Sequence, residues 1–254
     1  MQYSTKYIFL FAAAICLVCS LLIAIPAVAL RARQEENRQL DQKKAVIMAA
    51  RLVKPEERLD RDKVAEVFKN IEAHVVDLAT GDTIDMNPDE YDFNDVEKSM
   101  LEESPIQVQE IPKKVKVYHV RKEGKVDMIV LPIFGKGLWS TLWGFFALDV
   151  DTTTVEGITY YQHGETPGLG GEVDNPKWKS RWPGRKAFDE SWNVEIDVIK
   201  GAAGPPASDP HRVDGLSGAT ITGRGVARML QFWLGDQGFG PYLKKFREQS
   251  ARSQ

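Results

Sequence analysis

The sequence predicts an α+β chain: an N-terminal single transmembrane helix followed by a largely antiparallel sheet with flanking helices. Three observations carry that prediction. Residues 7–30 form a 24-residue stretch with no charged side chain, between Lys6 and Arg31. From Val115 to Gln162 the chain alternates β-rich runs with tight-turn signals. Helical periodicity then returns late, without the alternating strand and helix segments of a βαβ fold.

Taken as a helix, residues 7–30 extend about 36 Å at 1.5 Å per residue, enough to cross a hydrocarbon core of about 30 Å. Tyr3 and Tyr7 at one end, and Arg31 and Arg33 at the other, suit the two interfaces. A cleaved secretory signal is the alternative, with Ala27-Val28-Ala29 as a small-x-small site, but the apolar run exceeds the usual h-region. The basic flanks do not orient the span. Cys16 and Cys19, the only cysteines, fall inside it and read as small apolar packing residues.

An anchor over 1–32 precedes a segment, 33–114, of juxtamembrane helices and an acidic insertion. Residues 35–53 are charged and helix-prone, with Leu40 and Ile47 in helical phase and Pro55 as the stop. Asp60 opens an amphipathic stretch that places Val64, Val67, Phe68, Ile71 and Val75 on one stripe. Residues 77–103 hold ten acids against one base, Lys98. They lack the pattern of a calcium loop of the EF-hand type, so a solvated insertion is expected.

The third segment, 115–254, carries the sheet. Runs 115–121 and 126–134 flank Lys122-Glu123-Gly124-Lys125 as a hairpin, and 142–150 and 155–162 flank Asp151-Thr152 as a second. Asp174-Asn175-Pro176 starts a short helix that Pro183-Gly184 stops. Residues 192–200 read as a strand. Residues 220–234 form an amphipathic helix burying Val226, Met229, Leu230, Trp233 and Leu234, and Gly238-Phe239-Gly240-Pro241 separates it from a short basic helix.

Charge and composition exclude several functions. Residues 31–254 hold 32 Lys+Arg against 36 Asp+Glu, a net −4, which argues against a nucleic-acid partner. That part of the chain has no cysteine, so it carries no disulfide frame or iron–sulfur cluster of its own. His74, His119, His163 and His211 do not pair at metal-ligand spacing, and no metal site is expected. Gly215-Leu216-Ser217-Gly218-Ala219 lacks the closing glycine of a hydrolase nucleophile elbow. Gly168-Leu169-Gly170 lacks the third glycine of a dinucleotide fingerprint.

Two glycine-rich segments remain. Residues 164–171, Gly-Glu-Thr-Pro-Gly-Leu-Gly-Gly, follow a strand and allow close backbone approach to a ligand. Residues 214–222, Asp-Gly-Leu-Ser-Gly-Ala-Thr-Ile-Thr, lead into the amphipathic helix, whose N-terminus offers unpaired N–H groups and a positive dipole end to a phosphate. Ser217, Thr220 and Thr222 add hydroxyls. A plain N-cap by Ser217 or Thr220 explains the same pattern.

Asp214-Gly-Leu-Ser-Gly-Ala-Thr220 resembles the flavinylation motif of the FMN-binding domain family. The resemblance implies FMN attached to Thr220 through a phosphoester, with Asp214, Ser217, Gly218, Ala219 and Thr222 around it. Ser217 and Thr222 are the competing acceptors. With the anchor, Gly135-Lys-Gly-Leu-Trp-Ser140, His163-Gly-Glu-Thr-Pro-Gly-Leu-Gly-Gly171 and the Trp178/Trp182 segment, the whole chain resembles the C-subunit family of the Na⁺-translocating NADH:quinone reductases. This implies that 115–254 is an FMN-binding domain on the periplasmic side of a bacterial inner membrane. It also implies a flavin transferase that attaches FMN, and partner subunits, notably B, D and E. The implied function is electron relay from a membrane iron–sulfur centre to the FMN carried by the first of these partners. Glu165, Thr166, Gly168, Leu169 and Gly170 are expected at the flavin ring, with Leu138 and Trp139 beside them. The flavoprotein of the related ferredoxin:NAD⁺ reductase complex shares the attachment motif, and an anchored non-redox binding module is the reading from another class.

Overall fold

The computed structural model describes residues 4–54 and 56–252, so Tyr3 and Pro55 lie outside the described residues. The chain forms two compact units, Met1–Gln42 and Lys43–Gln254. One helix, α1 (Thr5–Ala49), carries the apolar run and includes Pro26. It is long and apolar enough to cross a membrane. The separate juxtamembrane helix expected from residue 35 is instead the continuation of α1. No residue between Leu30 and Glu35 breaks a helix, and the Glu35 carboxylate accepts from Arg38 at 3.0 Å one turn on. The stop also comes earlier than Pro55. Arg51 sits at φ +52°, and the Leu52 N–H bonds the Ile47 carbonyl at 3.1 Å while the Arg51 N–H bonds Met48. This is a Schellman ending with arginine where glycine is usual.

In the second unit, Asp60 caps α2 (Arg61–Phe68) by accepting from the Lys63 N–H. The expected apolar stripe continues to Val75, but the helix does not. Ile71, Val75 and Val76 belong to β1 (Ile71–Asp77) and are buried there. Their β-branched side chains suit a pleated surface. After β2 (Thr83–Ile84), β3 (Lys98–Met100) and β4 (Glu110–Pro112) come the long strands β5 (Lys114–Lys122), β6 (Lys125–Lys136), β7 (Thr141–Asp149) and β8 (Val155–Gln162). The main sheet runs β2-β1-β5-β6-β7-β8, antiparallel throughout. The β5–β6 turn has Glu123 at φ +53° and Gly124 at φ +81°, the primed geometry that matches strand twist.

The acidic insertion is more ordered than expected. β3 pairs with β4, and the Phe93 ring meets Phe134 and Trp143 edge-on at 5.6 and 5.3 Å. Tyr91 donates to the Lys114 carbonyl. Two aromatics among the acids thus tie the insertion to the sheet. Residues 192–200 also differ from expectation. Trp192 lies at φ +64°, and the Asp189 carboxylate holds the turn by accepting from the Ser191 and Asn193 N–H groups. Only Asp197–Val198 forms a strand, β9, which pairs in parallel with β10 (Arg212–Val213). The short helix after Asn175, α3 (Pro176–Lys179), forms with the expected cap.

Helix α4 (Thr220–Leu234) packs on β6. Trp233 is fully buried, and its indole N–H donates to the Phe134 carbonyl at 2.7 Å. A Cβ at Gly225 would lie 2.5 Å from the Lys136 carbonyl oxygen, so only glycine allows this approach. Gly225→Ala is therefore expected to cost about 2–3 kcal/mol by pushing α4 off the sheet, measurable by denaturant unfolding. A loss below about 0.5 kcal/mol would contradict the packing described.

Helix α5 (Gly240–Arg252) docks through Tyr242, whose hydroxyl is 2.5 Å from His119 Nε2 of β5. Burial, then the neighbouring His74 and Arg121, lowers the His119 pKa to about 4. Because the unfolded imidazole takes a proton at higher pH than the folded one, stability is full above about pH 6.5 and declines as pH falls towards 4. The expected loss is about 3 kcal/mol. Unfolding measured across that window should show the slope, and His119→Gln should flatten it.

Candidate functional site

The entrance to α4 is built by close backbone approach. A Cβ at Gly215 would lie 2.2 Å from the Ile199 carbonyl oxygen, and the Gly215 N–H bonds Gly201 at 2.7 Å. Gly218 turns the chain at φ +72°. The N-cap position falls on Ala219, which makes no side-chain cap hydrogen bond. The plain N-cap reading by Ser217 or Thr220 is therefore replaced by a helix start that no side chain caps. Thr220 is the first residue of the helix and is exposed, as are Ser217 and Gly218. Thr222, two residues on, is fully buried.

The buried Thr222 hydroxyl donates to Glu165 Oε2 at 2.6 Å. The same carboxylate accepts from the backbone N–H groups of Leu138 (3.2 Å), Trp139 (2.9 Å) and Ser140 (3.1 Å). Glu165 thus joins three segments: the β6–β7 turn, its own loop and the first turn of α4. Glycines make the room, since a Cβ at Gly137 or Gly170 would lie 2.6 or 2.5 Å from a Glu165 oxygen. Burial raises the carboxyl pKa, but the Thr222 and backbone hydrogen bonds outweigh it, and the net shift is downward. Glu165, expected at the flavin ring, is buried and engaged by four donors, which makes it a residue that positions the three segments.

The rest of that loop is at the surface. Thr166 is exposed, and its carbonyl accepts from the Leu169 and Gly171 N–H groups. Gly168 lies at φ +75° with open space around it. Leu169 is exposed and reaches the other glycine-rich segment: a Cβ on Gly218 would come 2.9 Å from its Cδ2. Leu138 and Trp139 are exposed too, Trp139 by 67%. The two glycine-rich segments are therefore neighbours, with apolar side chains at the surface around them. The sequence reading missed Ser140, whose Oγ accepts from the Gly164 N–H at 2.6 Å. His163 bridges Asp174 and the Glu165 N–H, and His211 bonds the Lys186 carbonyl.

Beside Thr220 opens a cleft of about 760 Å³, lined by residues 197–202 and by the entrance to α4, including Thr220 and Arg224. Asp214 ties its walls together. One carboxylate oxygen accepts from the Ala203 N–H at 2.9 Å, the other lies 3.4 Å from Arg181 Nε, and the Asp214 carbonyl accepts from the Trp178 indole. The wall at 197–202 was not foreseen, because an expected plain strand there carried no signal of a cleft. An uncapped helix start, an exposed hydroxyl on it, an adjoining cleft and apolar cover together fit a phosphate-bearing, partly apolar ligand.

Comparison with known proteins agrees with this chemistry. The family model described as the FMN-binding domain matches residues 137–235, which span Glu165, both glycine-rich segments and α4. The C-subunit of the Na(+)-translocating NADH-quinone reductase of Yersinia pestis is 43% identical over 243 residues, covering 92% of this chain and 90% of its own length. Its counterpart from Pseudomonas aeruginosa is 42% identical over 260 residues, covering 98% of this chain and 99% of its own. The crystal structure of Shewanella oneidensis NqrC matches the fold with a TM-score of 0.75 at 31% identity, over 84% of this chain and 99% of that one.

Proposed function

Because the chain belongs to the NqrC family, the C-subunits of the Na(+)-translocating NADH-quinone reductases, and has an FMN-binding domain, we propose that it carries FMN covalently on Thr220 Oγ1 as an electron relay. The observation that carries this reading is the contrast between two hydroxyls on one helix turn. Thr220 is exposed at the uncapped start of α4, whereas Thr222 is buried and donates to Glu165. A separate flavin transferase would join the FMN phosphate of FAD to Thr220 Oγ1, breaking the pyrophosphate P–O bond and releasing AMP and the hydroxyl proton.

The chain's own residues hold and orient the group. The first-turn N–H groups and the positive end of the α4 dipole meet the phosphate. Ser217, Gly218 and Ala219 keep the approach open. Leu138, Trp139 and Leu169 give apolar cover and Thr166 a polar contact, while Glu165 and Asp214 fix the segments that present them. The flavin supplies one-electron chemistry when bound. Subunits B, D and E are the partners, and the route is from an iron–sulfur centre in the membrane subunits to the FMN carried by the first of these three. The α1 span holds the domain on the periplasmic side of the bacterial inner membrane, where no flavin pool replaces a lost cofactor and a covalent link retains it.

Co-expression with a flavin transferase tests the reading. Flavin fluorescence should stay with the chain through denaturing electrophoresis. A chain that loses all fluorescence on denaturation would contradict the covalent link, and one that carries no flavin before denaturation either would support the anchored, non-redox binding module.

A further inference from the structure

The cleft beside Thr220 contains four charged residues, and they are not equally committed. Asp214 is engaged by the Ala203 N–H and Arg181. Asp197 accepts from the Val198 N–H. Lys200 and Arg224, both exposed, line the same cleft, and among the described residues neither makes an ion pair or a side-chain hydrogen bond. Arg224 is four residues after Thr220 on α4, so the two share one helix face. Helical side chains lean towards the N-terminus, which carries the guanidinium back over the Thr220 turn. Lys200 lines the cleft from the 197–202 segment, which the Gly215–Gly201 hydrogen bond ties to the helix entrance.

We infer that Lys200 and Arg224 form an anion subsite in this cleft that pairs with the phosphate of the flavin nucleotide, selecting a 5′-phosphorylated flavin over riboflavin. The inference rests on the FMN-binding reading of the site but not on the covalent bond. Two cations lining one cleft with the phosphate add charge-assisted hydrogen bonds to those of the helix-terminal N–H groups. They also fix the direction in which the rest of the nucleotide leaves the phosphate, away from the Lys200 wall.

The test uses the full chain in detergent, made without a flavin transferase, with free FMN and riboflavin as probes. The wild-type chain should bind FMN more tightly than riboflavin, and added salt should narrow the difference. The double substitution Lys200→Gln with Arg224→Gln should weaken FMN about tenfold and leave riboflavin unchanged. Arg224→Lys alone should retain most of the preference. An FMN-to-riboflavin ratio that the double substitution leaves unaltered would overturn the subsite, as would wild-type protein that binds both equally or neither. A chain that prefers FMN yet stays unmodified at Thr220 when the transferase is present would overturn the covalent link and leave the subsite standing. A chain modified at Thr220 whose ratio ignores both substitutions would do the reverse.

Discussion

Replacing Thr220 with valine is expected to abolish covalent flavin while leaving the fold intact. Valine keeps the branched shape and removes the one atom that can form the ester. The residue is exposed and its hydroxyl supports no internal hydrogen bond among the described residues, so stability should change by less than about 0.5 kcal/mol. Thr222→Val is the informative partner. It should retain the flavin, because its hydroxyl points into the protein towards Glu165, and should cost about 1–2 kcal/mol for the lost buried hydrogen bond. Absorbance of the denatured proteins, normalised to chain concentration, separates the two. Flavin retained in Thr220→Val would move the attachment to Ser217 or Thr222.

The second large effect is expected at Glu165. Glu165→Ala strands three backbone N–H groups and the Thr222 hydroxyl at once. Water entering the vacated space would recover part of the loss, leaving a destabilisation of about 3 kcal/mol. The damage should not stop at stability, since the β6–β7 turn and the start of α4 lose their common acceptor. The exposed Trp139 should then change its emission even under conditions where the chain remains folded. Glu165→Gln keeps the size but offers an amide N–H where an acceptor is required, and should fall between the two. The carboxyl pKa is depressed in the folded state. Its contribution is therefore present above the unfolded value of about 4.5 and is lost as pH falls below it. Acid unfolding of the Glu165→Gln protein should be shallower there than that of the wild type. An unchanged denaturation midpoint and Trp139 spectrum in Glu165→Ala would refute the positioning role.

Much of this architecture was legible because local signals agreed with tertiary demands. The start of α4 at Thr220 followed from glycines giving way to apolar residues at helical spacing. The β5–β6 hairpin followed from Glu123-Gly124, whose φ values are those that a tight hairpin turn requires. The misreadings have equally local causes. Ile71 and Val75 fit a helical stripe as well as a strand face, and only pairing with β5 decides between them. The end of α1 was hidden because arginine occupies the left-handed position where glycine would have signalled a stop. Phe93 looked like part of a solvated acidic segment until the sheet supplied its aromatic partners.

At the site, the sequence identified the two glycine-rich segments but not the division of labour within them. Glu165 was expected at the flavin ring and Thr222 as a competing acceptor, and the structure adds a buried hydrogen bond between the two that no sequence signal announced. Gly137 and Gly170 make room for the Glu165 carboxylate. The wall formed by residues 197–202 could not be seen at all, because it depends on a two-residue parallel pairing between β9 and β10 that leaves no periodic trace.

Peptide mass analysis of the full chain co-expressed with a flavin transferase tests the central claim most directly. The account predicts one FMN, less a water, on the peptide that contains Thr220, with fragmentation placing it on that residue. An unmodified Thr220 peptide beside an active transferase, or the same mass increment on any other residue, would contradict it.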